Sequence, residues 1–208
     1  MQLPDTKLEE KLWARGIKYV VGIDEAGRGS LAGPVCAGAV VLDRDTELNI
    51  LVRDSKQMSK KNREKAYEYI ISNSLASGVH MISSARIDSI GIQDAVKEAM
   101  EGALYEVEKM LGNKVQYIIV DGINVMSIPG YSMYKIKEGD VKHYSISAAS
   151  ILAKVTRDRY MESIAQKYPE YCFEKHKGYG TKYHTDAIKK HGPCKIHRKT
   201  FKPIKNMF

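Results

Sequence analysis

Asp24 and Glu25 stand side by side after an apolar run, and a Gly-Arg-Gly tripeptide, Gly27 to Gly29, follows at once. Tyr19 to Ile23 is aromatic and β-branched with no charged side chain, which reads as a buried strand. Carboxylates at the end of such a strand are costly unless a cation pairs with them, and a divalent metal does so best. Glycines let the backbone pass close to a ligand and turn its N–H groups toward it. Arg28 adds planar donors that suit phosphate. Metal-binding acids beside a phosphate-tolerant loop point to phosphodiester chemistry. A solvated Asp-Glu turn is the competing reading. The dinucleotide-binding G-x-G-x-x-G pattern is not met, since Gly27, Gly29 and Gly33 give G-x-G-x-x-x-G.

The elements that must position these residues alternate along the chain. Tyr19–Asp24 and Val35–Leu42 read as strands, separated by the Gly/Pro-rich link from Gly27 to Pro34. Ser59 is set to cap a helix burying Ala66, Tyr67, Ile70, Ile71 and Leu75. Gly78 to Ile87 reads as another strand. A long helix follows, with Ala95, Val96, Ala99, Met100, Ala103, Leu104, Val107 and Leu111 on one stripe and Gly112 as its stop. Val115–Val120 is a second largely apolar β-branched run, and it too ends in an acid, Asp121. Tyr131–Lys137 reads as a short strand and Ser145 to Ala165 as a helix that stops before Pro169. A Gly/His-rich loop, a short helix near Thr181–Lys190 and the basic end Lys195–Phe208 complete the chain. This alternation predicts an α/β fold with helices on both faces of a central sheet. Sites in such sheets sit at the carboxyl ends of strands, where Asp24 and Asp121 both fall.

At 208 residues, 43% hydrophobic and 28% charged, the chain reads as a single soluble globular unit with a sizeable core. No apolar run has the length of a membrane helix, so no membrane association is expected. Met1 to Lys18 carries Lys7, Glu9, Glu10, Lys11 and Arg15, which does not read as a signal peptide. Cys36, Cys172 and Cys194 form no C-x-x-C and read as reduced thiols of a cytoplasmic protein. His143, His176, His184, His191 and His197 show no zinc spacing, and no structural metal is expected. A monomer is the default. The net charge of +8 is uneven: residues 1–133 hold 16 Lys and Arg against 18 acids, residues 134–208 hold 17 against 7. A basic C-terminal third is the footprint of a nucleic-acid binder, or simply a Lys-rich solvated surface.

Gly22-Ile23-Asp24-Glu25-Ala26-Gly27-Arg28-Gly29 with Leu31-Ala32-Gly33-Pro34-Val35 resembles the signature of ribonuclease HII. Further matches run in the family's order: Asp54-Ser55-Lys56, Val120-Asp121-Gly122, Gly139-Asp140, Ser147 to Val155, His176-Lys177-Gly178-Tyr179-Gly180 and His197-Arg198. The likeness spans Trp13 to Phe201 and points to the bacterial form, with Gly-Arg-Gly separating it from ribonuclease HIII. Ser30 stands where the family often has proline.

The resemblance implies a ribonuclease H-like mixed sheet with helices on both faces. Residues 1–170 would form the catalytic domain, and 171–208 a small helical, basic extension packed on it. It implies endonucleolytic cleavage of RNA in RNA–DNA hybrids and incision at single ribonucleotides embedded in duplex DNA. The family's four carboxylates fall on Asp24, Glu25, Asp121 and Asp140, which would hold two Mg²⁺ or Mn²⁺ ions about 4 Å apart. Asp140 reads as the loop member of the set. By the same resemblance Gly27, Arg28 and Gly29 would sense the 2′-hydroxyl, and Tyr179 would pack on the sugar beyond the RNA–DNA junction. Lys56, Lys154, Lys177 and Arg198 are candidate phosphate contacts. The Ser147–Ser150 run reads as a close helix–sheet contact in preference to a phosphate site. Two other functions compete: a non-catalytic basic module that binds hybrids or structured RNA, and an actin-like phosphotransferase. The spaced acids disfavour the first, and the length of the chain disfavours the second.

Overall fold

The computed structural model describes residues 3–49, 52 and 54–207; Met1, Gln2 and Phe208 of the segments read above lie outside them. In chain order come α1 (Lys7–Ala14), β1 (Val20–Ala26), β2 (Val35–Val41), α2 (Lys60–Asn73), β3 (Ala76–Ile82), α3 (Ser84–Ile90) and α4 (Ile92–Leu111). Then follow β4 (Tyr117–Asp121), β5 (Ser132–Ile136), α5 (Gly139–Lys142), α6 (Tyr144–Ala165), α7 (Phe173–His176) and α8 (Lys182–His191). Short 3-10 turns occupy Ser55–Gln57, Pro169–Tyr171 and Ile204–Met207.

The five strands form one mixed sheet in the order β3-β2-β1-β4-β5, antiparallel on the β3-β2-β1 side and parallel from β1 to β5. The two-residue alternation of a strand divides β1 between two layers. Val21 and Ile23 face α4, with Val96, Met100 and Val107 in the same cluster. Val20 faces the other way, into a cluster with Ala148, Ala149, Ile151 and Leu152 of α6. Helices on both faces of a mixed sheet match the expectation.

Ser59 caps α2 by accepting from the Asn62 N–H at 3.3 Å, and Gly112 ends α4 in a left-handed conformation at φ 63°. Of the apolar residues assigned to the buried face of α2, Ala66 and Ile70 are buried, but Ile71 and Leu75 are exposed. Ile71 follows Ile70 by one residue, about 100° around the helix, and so turns to solvent. The strand expected over Gly78–Ile87 stops at Ile82. Ser83 accepts the Arg86 N–H at 3.2 Å and starts α3, so a side-chain cap ends the strand early.

In α6, Ser147, Ala148 and Ala149 are fully buried, and this small stretch lets the helix lie directly on β1 and β2. Beyond α6, Tyr171, Phe173, Ile188 and Ile204 pack on Met161 and Leu31 in a separate cluster that ties the C-terminal segment to the β1–β2 link. No helix among the described residues is long and apolar enough to cross a membrane.

Candidate active site

Ile23 of β1 lies opposite Val120 of the parallel β4. The next residues, Asp24 and Asp121, are therefore neighbours at the carboxyl ends of adjacent strands. Asp140 joins them from α5, whose first turn is held by Asp121: its Oδ1 accepts the Gly139 N–H at 2.6 Å. Ligand oxygens of Asp24, Asp121 and Asp140 all lie within 4.8 Å of one another. Asp140 is not a loop residue. It is 3% exposed and sits on a short helix. Four residues carry no readable helical period, which hid this from the sequence.

Glu25 follows Asp24 on β1, so its side chain leaves the strand on the opposite side, yet both line the same cleft. It lies outside the three-carboxylate group and pairs with Arg28 at 3.3 Å, while Arg28 also donates to Gln93 at 2.7 Å. Burial raises the Asp24 carboxyl well above its ordinary range, and the charges of Glu25 and Asp121 push it further. Burial also raises Glu25, against the pull of Arg28. Asp121 is raised by burial too, with the Gly139 N–H opposing. Cationic relief inside the cluster comes from Lys56, whose Nζ is 2.9 Å from Asp140. Asp54 orients that lysine by accepting the Lys56 N–H at 2.9 Å at the start of its 3-10 turn.

The cleft over these acids has a volume of about 250 Å³ and is lined by Gly27, Arg28, Gly29, Lys56, Lys154 and Tyr179 besides Asp24, Glu25 and Asp121. A larger cavity of about 720 Å³ lies at the opposite end of the sheet, between Tyr19, Leu42, Leu75 and Leu111. Among the described residues lining it, Asp43 is the single acid.

Gly27 adopts φ +85°, and a Cβ there would come within 2.0 Å of Arg157 Nε. Gly29 has no atom within 4 Å of where its Cβ would be, so its bare surface faces the open cleft. Arg198, expected as a phosphate contact, is instead fully buried beneath this tripeptide. It donates to the carbonyls of Gly27 at 2.7 Å, Arg28 at 2.8 Å and Gly33 at 3.1 Å. A guanidinium on those carbonyls polarises the Gly27–Arg28 and Arg28–Gly29 peptides, strengthening their N–H groups as donors. Lys177 is likewise engaged within the protein, by Glu162 at 3.2 Å and the Glu174 carbonyl. Lys154 pairs with Asp158 at 2.6 Å yet still lines the cleft.

One contributor was not singled out in the sequence. Arg157 is fully buried, donating to Pro34 and Ala32 carbonyls and the Ser30 hydroxyl at 2.8, 3.1 and 2.7 Å. Its one visible signal is its place on the small-residue stripe of α6, seven residues after Ser150 and four after Ala153. Ser150 itself divides the run assigned to packing. Its hydroxyl opposes the rise of the Asp24 carboxyl and lies 3.1 Å from the Ser55 hydroxyl, while its predecessors fill the helix–sheet contact. The Tyr179 ring stands 5.3 Å from the Arg157 guanidinium and 5.9 Å from Lys154 Nζ.

The family model described as ribonuclease HII matches residues 21–204. The chain is 48% identical to ribonuclease HII of Caldicellulosiruptor bescii over 97% of its own length and 94% of the relative's. It is 46% identical to that of Bacillus licheniformis over 96% and 76% respectively. Among solved structures, ribonuclease H2 from Pyrococcus horikoshii OT3 superposes with a TM-score of 0.74 at 29% identity, covering 91% of this chain and 96% of that one. With the carboxylates gathered at the strand ends of such a sheet, the chain belongs to the ribonuclease HII family of hydrolytic nucleases.

Proposed function

We propose that this protein is an endoribonuclease that cuts the RNA strand of RNA–DNA hybrids and incises 5′ of single ribonucleotides in duplex DNA. The observation that carries the reading is the group formed by Asp24, Asp121 and Asp140, three carboxylates within ligand distance beside an open glycine turn. Buried acids with raised pKa values and one nearby lysine make a site short of positive charge. All-oxygen donors of this kind fit Mg²⁺ or Mn²⁺ and disfavour softer metals. Asp24, Asp121 and Asp140 would hold the ions, with Glu25 beside them. Bound there, a pair of divalent ions supplies an activated water and stabilises the departing 3′-oxygen.

The remaining roles belong to the chain's own groups. Gly29 leaves room for a ribose to approach, and the polarised amides of the turn supply donors for a 2′-hydroxyl, which DNA lacks. Arg28 and Lys56 present cations along the cleft where phosphates would run. The Tyr179 ring, 36% exposed over the same cleft, offers an apolar surface suited to a deoxyribose on the far side of the junction. Exposed Lys182, Lys189, Lys190 and Lys195 extend the positive surface beyond it. Cleavage at the P–O3′ bond leaves 3′-hydroxyl and 5′-phosphate ends.

Tyr179→Ala tests this reading. It removes the packing surface and none of the acids, so kcat/KM should fall at least about tenfold more on a single-ribonucleotide duplex than on a long hybrid, the scale of losing about 1.4 kcal/mol of binding. Asp121→Asn, by contrast, should depress both substrates together. Equal losses on the two substrates for Tyr179→Ala would return that ring to a structural role.

A further inference from the structure

Beneath the loop that carries Tyr179 lie three buried imidazoles, His176, His184 and His197, at 9%, 0% and 1% exposure. None belongs to the carboxylate site. Their hydrogen bonds fix every proton. The Cys194 N–H donates to His197 Nδ1 at 2.9 Å, so that nitrogen accepts and the His197 proton sits on Nε2. His197 Nε2 is 3.0 Å from His184 Nε2, which must then accept. The His184 proton is left on Nδ1, 3.0 Å from the Tyr179 carbonyl, to which it donates. His176 accepts the Gly178 N–H on Nδ1 at 3.2 Å and donates from Nε2 to the Tyr171 carbonyl at 2.8 Å. Each ring has one donor and one acceptor nitrogen, as neutral imidazole requires. Burial holds both His184 and His197 down to about 4, so the rings are neutral at neutral pH.

This directional chain ends on the peptide that sets the Tyr179 side chain. The Tyr179 carbonyl takes the Thr181 N–H at 2.8 Å on its other lone pair, and the Tyr179 N–H donates to the His176 carbonyl at 2.9 Å. Gly178 in turn accepts the Leu31 N–H at 2.8 Å, joining the loop to the segment that follows Gly29. His197 is adjacent to Arg198, which clamps Gly27 and Arg28. One short C-terminal segment thus holds both walls of the cleft.

We propose that His184 and His197 are positioning residues for Tyr179, their imidazole relay fixing its backbone and with it the ring's place over the cleft. The proposal rests on the junction-reading role given to Tyr179 above. His184→Phe keeps a ring against His176, 4.4 Å away, but can neither donate to the Tyr179 carbonyl nor accept from His197. His184→Asn keeps a side-chain amide donor near the position of Nδ1.

The test compares the full-length wild type, His184→Phe, His184→Asn and Tyr179→Ala. Their kcat/KM is measured on a single-ribonucleotide duplex and on a long hybrid, with hydrogen exchange followed across residues 177–181. His184→Phe should lose roughly tenfold or more on the single-ribonucleotide duplex relative to the hybrid, since displacements near 1 Å carry penalties of that size. Exchange across the loop should quicken, and His184→Asn should recover most of both. Unchanged exchange in His184→Phe, or a His184→Asn no better than it, would overturn the relay. So would parallel loss on both substrates with faster exchange, which marks a folding role alone. If Tyr179→Ala shifts the substrate ratio and His184→Phe does not, positioning is overturned while the junction reading stands. If Tyr179→Ala leaves the ratio unmoved, the junction reading falls and this proposal with it, and faster exchange in His184→Phe would then mark only a loop staple.

Discussion

Asp24→Asn is expected to lower turnover by about a thousandfold or more, the scale seen when one preorganised electrostatic group is lost, while making the metal-free protein more stable. The substitution keeps the oxygen that accepts the Glu25 N–H at 2.8 Å, and its amide has the carboxylate's shape. It removes a negative charge from a buried group whose neighbours, Glu25, Asp121 and Asp140, all repel it. Relief of like-charge crowding should raise the melting temperature in chelator by roughly 2–4 °C, about 1 kcal/mol for a chain of this size. The pH dependence follows from the raised pKa. Above the folded pKa of Asp24 the full repulsive penalty is present. It is relieved as pH falls through that value toward the ordinary Asp range near 3.9, so metal-free wild type gains stability on mild acidification. The variant should lose that component of the pH profile. Protons compete with metal for the same oxygens, and metal affinity should weaken across the same window. Thermal melts in chelator across a pH series, with and without added Mn²⁺, check both signs. A variant less stable than wild type in chelator would show that Asp24 is not under net repulsion.

Gly22→Ala should destabilise the protein by about 3 kcal/mol or more, the upper range for overpacking, because the new Cβ has nowhere to go. It would lie 2.4 Å from the Ser145 carbonyl carbon and 2.6 Å from the Ile146 nitrogen. Both are helix backbone, and no rotamer relieves the clash. The first turn of α6 must lift off β1, straining the Ser145 hydroxyl bond to Glu9 at 2.6 Å and drawing Ser150 away from Asp24. A melting-temperature drop of roughly 6–12 °C would accompany it. Gly29→Ala is the matched contrast, since nothing lies within 4 Å of its Cβ. It should melt with the wild type yet cut poorly, because the added methyl projects where a ribose would approach. Thermal unfolding of the two variants side by side reads the difference, and a Gly22→Ala that melts with the wild type would place α6 farther from the sheet than described.

Long periodic segments were legible in the sequence for physical reasons. The α4 stripe and its Gly112 stop, the apolar β1 and β4 runs and the Ser59 cap all follow from contacts a few residues apart. The acids at the ends of β1 and β4 could be read because strand ends follow from those runs. What escaped depends on long-range partners. Arg198 looks like any tail cation until its carbonyl partners, up to 171 residues away, are brought beneath it. The three histidines lack metal spacing and meet only because residues 176, 184 and 197 converge under one loop. Asp140 hides on a helix too short to show a period. Ser83 starts α3 as its cap, a local signal inside the segment that reads as one strand.

The most direct measurement is incubation of the purified protein with an end-labelled DNA duplex containing one ribonucleotide, with Mg²⁺ or Mn²⁺ and with EDTA in parallel. The account predicts a single incision on the 5′ side of the ribonucleotide, a 3′-hydroxyl and a 5′-phosphate at the nick, and no product in EDTA. Binding of the duplex without cleavage in either metal, or cleavage that persists in EDTA, would contradict it.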